Sequence, residues 1–146
     1  MEANRAIGYL KLAVAVVGTF LTTLFGGWDT MLRVLVLFVA IDYVVGVTAA
    51  WFEKKLNSEI GARGIMKKIL LFVIVGVAYQ LDVALGQEIF RSLAIWFYLA
   101  NEALSVIENA GRCGVPIPAF LKVALEQMRN RANDGTTPAI DVPKKE

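Results

Sequence analysis

Residues 42–68 read DYVVGVTAAWFEKKLNSEIGARGIMKK, and this stretch decides the fold. Its first eleven residues finish an apolar segment that starts at Met31, and the remainder is a basic connector. The apolar segment reaches the ~20 residues that a helix needs to cross a bilayer. Asp42 lies about halfway along it, where an acid costs roughly 2.5 to 3.5 kcal/mol. A segment that retains such an acid has a partner for it or a use for it.

The composition is that of a membrane protein. The chain has 146 residues, of which 57% are apolar and 19% charged, and its mean hydropathy is +0.58. It contains no histidine and a single cysteine, Cys113, which excludes a histidine-based triad, a histidine-bearing zinc site and an intrachain disulfide. It also lacks a glycine-rich phosphate loop and an aromatic-interleaved basic patch for nucleic acid. We therefore predict no enzyme, no catalytic, cofactor-binding or metal-binding residue, and no nucleic-acid partner.

Four segments reach or approach membrane-crossing length: residues 7–25, 31–52, 69–85 and 89–107. We interpret the first as a retained helix and not as a cleaved signal peptide, because no small-x-small cleavage site precedes Gly26. The fourth is the least apolar, since Arg91, Asn101, Glu102 and Ser105 interrupt it. The sequence predicts an all-α membrane protein with four transmembrane helices, or three if the fourth segment lies on the membrane surface.

The basic residues indicate the orientation. Of the 15 basic residues, 13 fall at the amino end, in the 53–68 connector and in the tail after the fourth segment. In a four-pass arrangement these three regions share one side, and only Arg33 and Arg91 lie on the other. By the positive-inside rule, both termini and the connector are then cytoplasmic.

The region after the fourth segment contains a second kind of helix. Within residues 111–132, where Pro118 can open a helix, apolar residues recur at helical spacing: Ile117, Phe120, Leu121, Ala124, Leu125 and Met128. This pattern predicts an amphipathic helix. It suits the cytoplasmic membrane interface, or packing against its own bundle or another subunit. Residues 133–146 are predicted to be disordered.

The acids within the membrane segments are the candidate functional groups. Asp42 lies about 16 Å, and Glu102 about 20 Å, from the outer start of its segment, so the two share a depth. We expect no basic residue at that depth. The two acids would then be protonated, hydrogen-bonded to Asn101, Thr48 or Ser105, or in contact with water.

The fourth segment presents a polar stripe along an otherwise apolar helix. Tyr98, Asn101 with Glu102, Ser105, and Glu108 with Asn109 recur at helical spacing. The stripe can face an aqueous lumen between assembled subunits, or form a hydrogen-bonded seam within the bundle. We favour the lumen, and the candidate pore or gating residues are Asp42, Asp82, Asn101, Glu102, Ser105 and Glu108. Asp82 is expected near outer interfacial water, with Gln80 on the opposite face of its helix.

Small residues lie on and near the Asp42 side of the second segment. Gly46, Ala49 and Ala50 allow another helix to approach closely. They are the candidate helix-packing residues. The pattern fits packing within a subunit and packing between subunits equally.

Taken together, these residues resemble the bacteriophage holins of the toxin-secretion/phage-lysis type. The resemblance covers about residues 42–121. It rests on Asp42, Gly46, Ala50, Lys54-Lys55, Ser58, Gly61, Gly64-Ile65, Lys67-Lys68 and Asp82, then on Asn101-Glu102, Ser105, Glu108-Asn109, Gly114 and Pro116-Ile117-Pro118. It carries no catalytic motif.

This resemblance implies a small multi-pass protein of the bacterial cytoplasmic membrane. Subunits would accumulate and then homo-oligomerise into holes in the lipid bilayer. The holes would release a cell-wall hydrolase, or in some relatives a toxin. Residues 1–110 would form the transmembrane holin domain, followed by the amphipathic helix and the tail.

Two other functions also fit the pattern. A small proton- or cation-coupled transporter or channel likewise needs short helices and an acid within the membrane. An accessory membrane anchor could recruit a cytoplasmic partner through its basic connector and tail.

Overall fold

A computed structural model describes residues 2–134, which form five α-helices. They are α1 (Glu2–Phe25), α2 (Thr30–Phe52), α3 (Ser58–Leu85), α4 (Phe90–Arg112) and α5 (Ala119–Asn133). The predicted all-α fold is confirmed. The predicted tail, residues 133–146, lies outside the described part of the chain from residue 135 onward.

Local signals set the helix ends. The Asp29 carboxylate accepts a hydrogen bond from the backbone N–H of Leu32 at 2.9 Å and so caps α2. The Asn57 side chain accepts one from the N–H of Glu59 at 2.9 Å and caps α3. Gly86 ends α3 with a φ of 64°, a left-handed conformation that glycine adopts without a steric penalty.

Three of these helices are long and apolar enough to cross a membrane: Asn4–Phe25, Thr30–Phe52 and Gly61–Leu85. They correspond to the first three predicted segments. Helix α4 has comparable length, but its polar residues keep it outside this group.

The connector between α2 and α3 is much shorter than the sequence analysis predicted. Residues 53–68 were expected to link two helices, but α3 already begins at Ser58. Besides the Asn57 cap, an ion pair one turn apart, Arg63 to Glu59 at 3.0 Å, supports this first part of α3. Lys68 therefore lies about 15 Å inside a helix.

Helix α4 runs parallel to α2, with ion pairs joining the two helices at both ends. Near the start of both helices, an Arg91 guanidinium nitrogen lies 2.6 Å from an Asp29 carboxylate oxygen. At their ends, the Arg112 Nε atom lies 2.8 Å from a carboxylate oxygen of Glu53. Helix α4 thus extends along the whole of α2, roughly 32 Å from Arg91 to Arg112.

The apolar core lies between α2, α3 and α4, toward the end that carries Asp29 and Arg91. Its most deeply buried side chains are Leu32, Leu35, Val75 and Ile95. Helix α1 lies alongside α3 and leaves most of its apolar surface exposed. An exposed apolar exterior around a small buried core is the pattern expected of a helix bundle in lipid.

Helix α5 lies against α4, which corresponds to one of the two predicted locations for the amphipathic helix. Its predicted apolar stripe is not a single buried face. Leu125 and Met128 are partly buried, whereas Phe120 is 70% exposed. The side of α5 that faces α4 is therefore rotated away from Phe120.

Candidate functional site

An ionic cluster joins the three core helices. The Lys68 ammonium on α3 donates a hydrogen bond to Oδ2 of Asp42 on α2 at 2.6 Å, and another to Oε2 of Glu102 on α4. Both acids are 7% exposed. One cation thus bridges two buried carboxylates from separate helices.

This cluster corrects the expectation that no basic residue shares the depth of the two acids. The expectation placed Lys68 in the connector, whereas the early start of α3 places it within the bundle. Its four-carbon side chain then lets the ammonium reach both carboxylates. Asp42 and Glu102 do lie close together, and both contact the Lys68 ammonium within a single subunit.

A relay of hydrogen bonds connects the cluster to the connector end of the bundle. Asn109 Nδ2 donates to Asp42 Oδ1 at 3.3 Å and to Ser105 Oγ at 3.4 Å. The side-chain amide oxygen of Asn109, Oδ1, accepts a hydrogen bond from Arg112 at 2.8 Å. Arg112 also binds both carboxylate oxygens of Glu53, at 2.8 and 3.0 Å.

Four members of this network were not among the candidate residues: Lys68, Asn109, Arg112 and Glu53. Asn109 had a sequence signal, since it belongs to the polar stripe of the fourth segment one turn after Ser105. Lys68 would have been found by starting α3 at the Asn57 cap.

The buried ions of the cluster are stable only while their charged and hydrogen-bonding partners are in place. Removing an ion from water costs several kcal/mol, and attraction to a partner offsets this only if hydrogen bonds satisfy the remaining atoms. Here Lys68 and Asn109 together occupy both oxygens of Asp42. Loss of Lys68 would leave two buried carboxylates without a counter-charge, which costs roughly 3 to 5 kcal/mol. Helices α2, α3 and α4 thus all contribute a charged side chain to this cluster.

A cavity of about 460 Å³ adjoins the cluster at the connector end of the bundle. Small residues widen it, among them Gly46, Ala50, Gly61 and Gly64. A Cβ atom at Gly46 would lie 3.3 Å from Nδ2 of Asn109. Gly46 therefore faces α4 of its own chain.

A second cavity of about 440 Å³ lies between α3 and α4. Tyr98, Asn101 and Glu102 line it from α4, with Leu70 and Ile74 from α3. The polar stripe of α4 thus borders open space at Tyr98 and Asn101 and the ionic cluster at Glu102.

Asp82 has a local structural role. It is 4% exposed, so the expected contact with interfacial water is wrong. Its carboxylate accepts hydrogen bonds from the backbone N–H groups of Ile89, Phe90 and Arg91, at 3.0, 2.9 and 2.8 Å. The acid satisfies the first N–H groups of α4, which have no partner within the helix.

The structure places the other singled-out residues apart from the cluster. Gln80 donates to the Thr23 carbonyl of α1 at 3.1 Å, so the prediction that it faces away from Asp82 is confirmed. Thr48, a suggested partner for the acids, instead donates to Val44 of its own helix at 2.8 Å. Glu108 is exposed, and Ala49 is fully buried.

Two ion pairs outside the membrane segments hold the ends of α2 and α4. The hydrogen bond from Arg91 is the main factor that lowers the pKa of Asp29. Hydrogen bonds from Arg112, and then from Lys55, lower the pKa of Glu53 from 4.5 to about 2. Both carboxylates therefore stay charged at neutral pH.

Comparison with known proteins identifies the family. The sequence profile of the bacteriophage holin family matches residues 19–130. An uncharacterized protein of Clostridium perfringens strain 13 is 44% identical over 126 residues, which cover 85% of this chain and 93% of the relative. An uncharacterized protein of Halalkalibacterium halodurans is 36% identical over 126 residues, 82% of this chain and 93% of that protein.

A phage protein among the similar proteins has a functional description. A protein of Bacillus phage phi105, described as a probable holin, is 38% identical over 82 residues, which cover 56% of this chain and 61% of that protein. No solved structure matches the chain. The family profile covers most of the chain, including all three helices that carry the ionic cluster. This chain belongs to the bacteriophage holin family.

Proposed function

We propose that this protein is a holin, a non-enzymatic membrane protein that homo-oligomerises in the bacterial cytoplasmic membrane and forms holes. The observation that carries the proposal is the Lys68 cluster, enclosed in a bundle whose exterior is apolar. A single subunit dispersed in lipid holds its two deep acids against Lys68, inside its own bundle. The same groups can line water once subunits assemble.

The proposed hole forms by exchange of partners. Assembly would separate α3 from α2 and α4, and water would replace the contacts of Lys68 with Asp42 and Glu102. The polar stripe of α4 adds Asn101 and Ser105 to the same wall. Because the cluster is costly to break halfway, opening would occur as one cooperative step.

We further propose that all of α1 to α4 cross the membrane, with both termini cytoplasmic. Helix α4 is too polar to be recognised as a membrane span by composition, but it is tied to both ends of α2. Glu102, Ser105 and Asn109 of this helix find partners inside the bundle, which is the condition for placing them at membrane depth. The distribution of basic residues then supports cytoplasmic termini.

The functional partner would be a cell-wall hydrolase that accumulates in the cytoplasm and leaves through the hole. The probable holin of a Bacillus phage among the relatives supports this role. A toxin is an alternative cargo, suggested by the resemblance to holins of the toxin-secretion type.

Coexpression in bacteria tests the proposal. The full chain is induced with and without a cytoplasmic endolysin, and turbidity is followed over time. Abrupt lysis at a reproducible time, only when both proteins are present, is the expected result. Slow growth arrest without lysis, together with proton or cation leak in vesicles, would instead indicate the small transporter or channel.

A further inference from the structure

We propose that the cavity at the connector end of the bundle binds the phosphate group of an anionic phospholipid. This cavity, of about 460 Å³, lies between α2, α3 and α4 beside the Lys68 cluster. The proposal concerns a ligand of the folded subunit and does not depend on hole formation.

Cations converge on this cavity. Arg63, Lys67, Lys68 and Arg112 line it, with Asp42 as the carboxylate among the lining residues. Lys68 and Arg112 are committed to carboxylates within the bundle. Lys67 has no ion pair among residues 2–134, and it lines both this cavity and the second one. Its ammonium is therefore available to a ligand.

Arg63 can be recruited as a second contact. Its ion pair with Glu59 joins side chains that are 71% and 75% exposed. Pairs this exposed contribute about 0 to 1 kcal/mol, because water screens them and both side chains lose freedom. A phosphate that approaches Lys67 could therefore draw the guanidinium away from Glu59.

The cavity wall leaves room for a head group. Gly64 lies beside Arg63 and Lys67, and a Cβ atom there would meet nothing within 4 Å. Asn57 and Tyr43 add polar groups to the lining. The ligand would thus meet two cations, with neutral hydrogen-bonding groups around them.

The neighbouring surface favours a lipid over a soluble phosphate. The second cavity continues from Gly64, Lys67 and Lys68 to apolar residues, Leu70, Leu71 and Ile74. Along α3, Ile69 and Leu70 are more than half exposed. A charged site next to an apolar surface matches the two parts of a phospholipid, and basic pockets between membrane helices are known to take anionic head groups.

Lipid retention provides the test. The full chain is reconstituted in vesicles of equal phosphatidylglycerol and phosphatidylcholine, extracted gently, and analysed for bound lipid by native mass spectrometry. The double substitution Arg63→Gln with Lys67→Gln should lower the preference for phosphatidylglycerol by about thirtyfold, since each surface cation contributes about fivefold. The matched control, Arg5→Gln with Lys11→Gln, removes equal charge from the exposed surface of α1 and should keep the preference.

A second variant tests whether lipid retention depends on the shape of the cavity and not only on its charge. Gly64→Phe fills the cavity without changing charge and should also reduce retention. Equal retention of the two lipids by the unmodified protein would overturn the proposal, as would an equal loss in the control. Binding of soluble glycerol phosphate as tight as that of the lipid would show a free-phosphate site instead. Because lysis is not measured, failure here leaves the holin proposal intact, and the reverse also holds.

Discussion

The Lys68 ammonium lies 2.6 Å from a carboxylate oxygen of Asp42, although the two residues are 26 positions apart in the chain. The contact joins α3 to α2 at a level where lipid would surround an isolated helix. The deep acid therefore has its cationic partner within the same subunit. Assembly therefore has to compete with this contact.

The first prediction concerns Lys68 itself. Lys68→Gln would leave Asp42 and Glu102 buried together without a cation, and should destabilise the folded subunit by roughly 3 to 5 kcal/mol. Thermal unfolding in detergent, followed by circular dichroism, measures the effect. Lys11→Gln on the exposed surface of α1 is the matched control and should shift the unfolding temperature little. Equal shifts in the two variants would contradict a structural role for the cluster.

The second prediction concerns the two carboxylates. Asp42→Asn or Glu102→Gln alone leaves Lys68 with one charged partner, so each variant should insert and accumulate. Each weakens the contact that assembly must break, and should therefore shift lysis earlier in the coexpression assay. Glu108→Gln is the control, since Glu108 is exposed and outside the cluster. Lysis on the unmodified schedule by both amide variants would mean that the cluster does not set the timing.

The double variant extends this test. Asp42→Asn with Glu102→Gln leaves the Lys68 ammonium without a charged partner. We expect protein levels to fall, unlike in either single variant, because an unpaired buried cation is strongly destabilising. Additive behaviour of the two substitutions would show that the acids do not share Lys68.

How far the sequence predicted this structure depends on the interaction concerned. The second segment, predicted at 31–52 from apolar length alone, is helix Thr30–Phe52. The start of α3 was missed by eleven residues, because charged residues and glycines interrupt residues 58–68, and their helix begins at a cap and not with an apolar run. That error assigned Lys68 to the connector, whereas it lies inside α3.

The candidate site likewise has some features that follow from the sequence and others that depend on tertiary packing. The shared depth of Asp42 and Glu102 follows from helical rise, so it could be worked out from the sequence. Their shared cation could not, since it needs the relative placement of three helices. Asp82 was misjudged for a related reason: its role as a cap depends on where α4 begins. Tertiary packing, which has no local sequence pattern, decided these contacts.

The third prediction concerns Gly46, which faces its own chain. A larger side chain there would displace Asn109 and break its hydrogen bond to Asp42. Gly46→Leu should destabilise the isolated subunit in detergent by about 1 to 3 kcal/mol, the usual cost of overpacking. Gly8→Leu is the control, because a Cβ atom at Gly8 meets nothing within 4 Å. Unchanged unfolding combined with weaker cross-linking would instead place Gly46 between subunits.

The fourth prediction concerns the proposed orientation. In a Cys113→Ser background, single cysteines are placed at Leu56, Trp28 and Gln87, all of which are exposed in the structure. An impermeant thiol reagent added to intact spheroplasts should label positions 28 and 87 only. Labelling at position 56 would contradict a cytoplasmic connector. Protection at position 87 would instead indicate that the α3–α4 turn does not reach the outer side.

The fifth prediction concerns acid. Arg112 lowers the pKa of Glu53 in the folded protein from 4.5 to about 2, so the folded state holds this carboxylate in its charged form. A depressed pKa adds stability that is fully present above the unfolded value of 4.5 and disappears as the pH falls toward 2. Glu53→Gln replaces the carboxyl with an amide that does not titrate, so this pH-dependent stability is absent from the variant.

Comparing Tm in detergent from pH 7 to pH 2 isolates this effect from the other carboxylates. The unmodified protein should have a higher Tm than Glu53→Gln at pH 7, and the difference should shrink below pH 4.5 and vanish near pH 2. Arg112→Gln should behave like Glu53→Gln, because the pair acts as one contact between the ends of α2 and α4. A difference that persists unchanged to pH 2 would mean that Glu53 stabilises the protein through its shape and not through its charge.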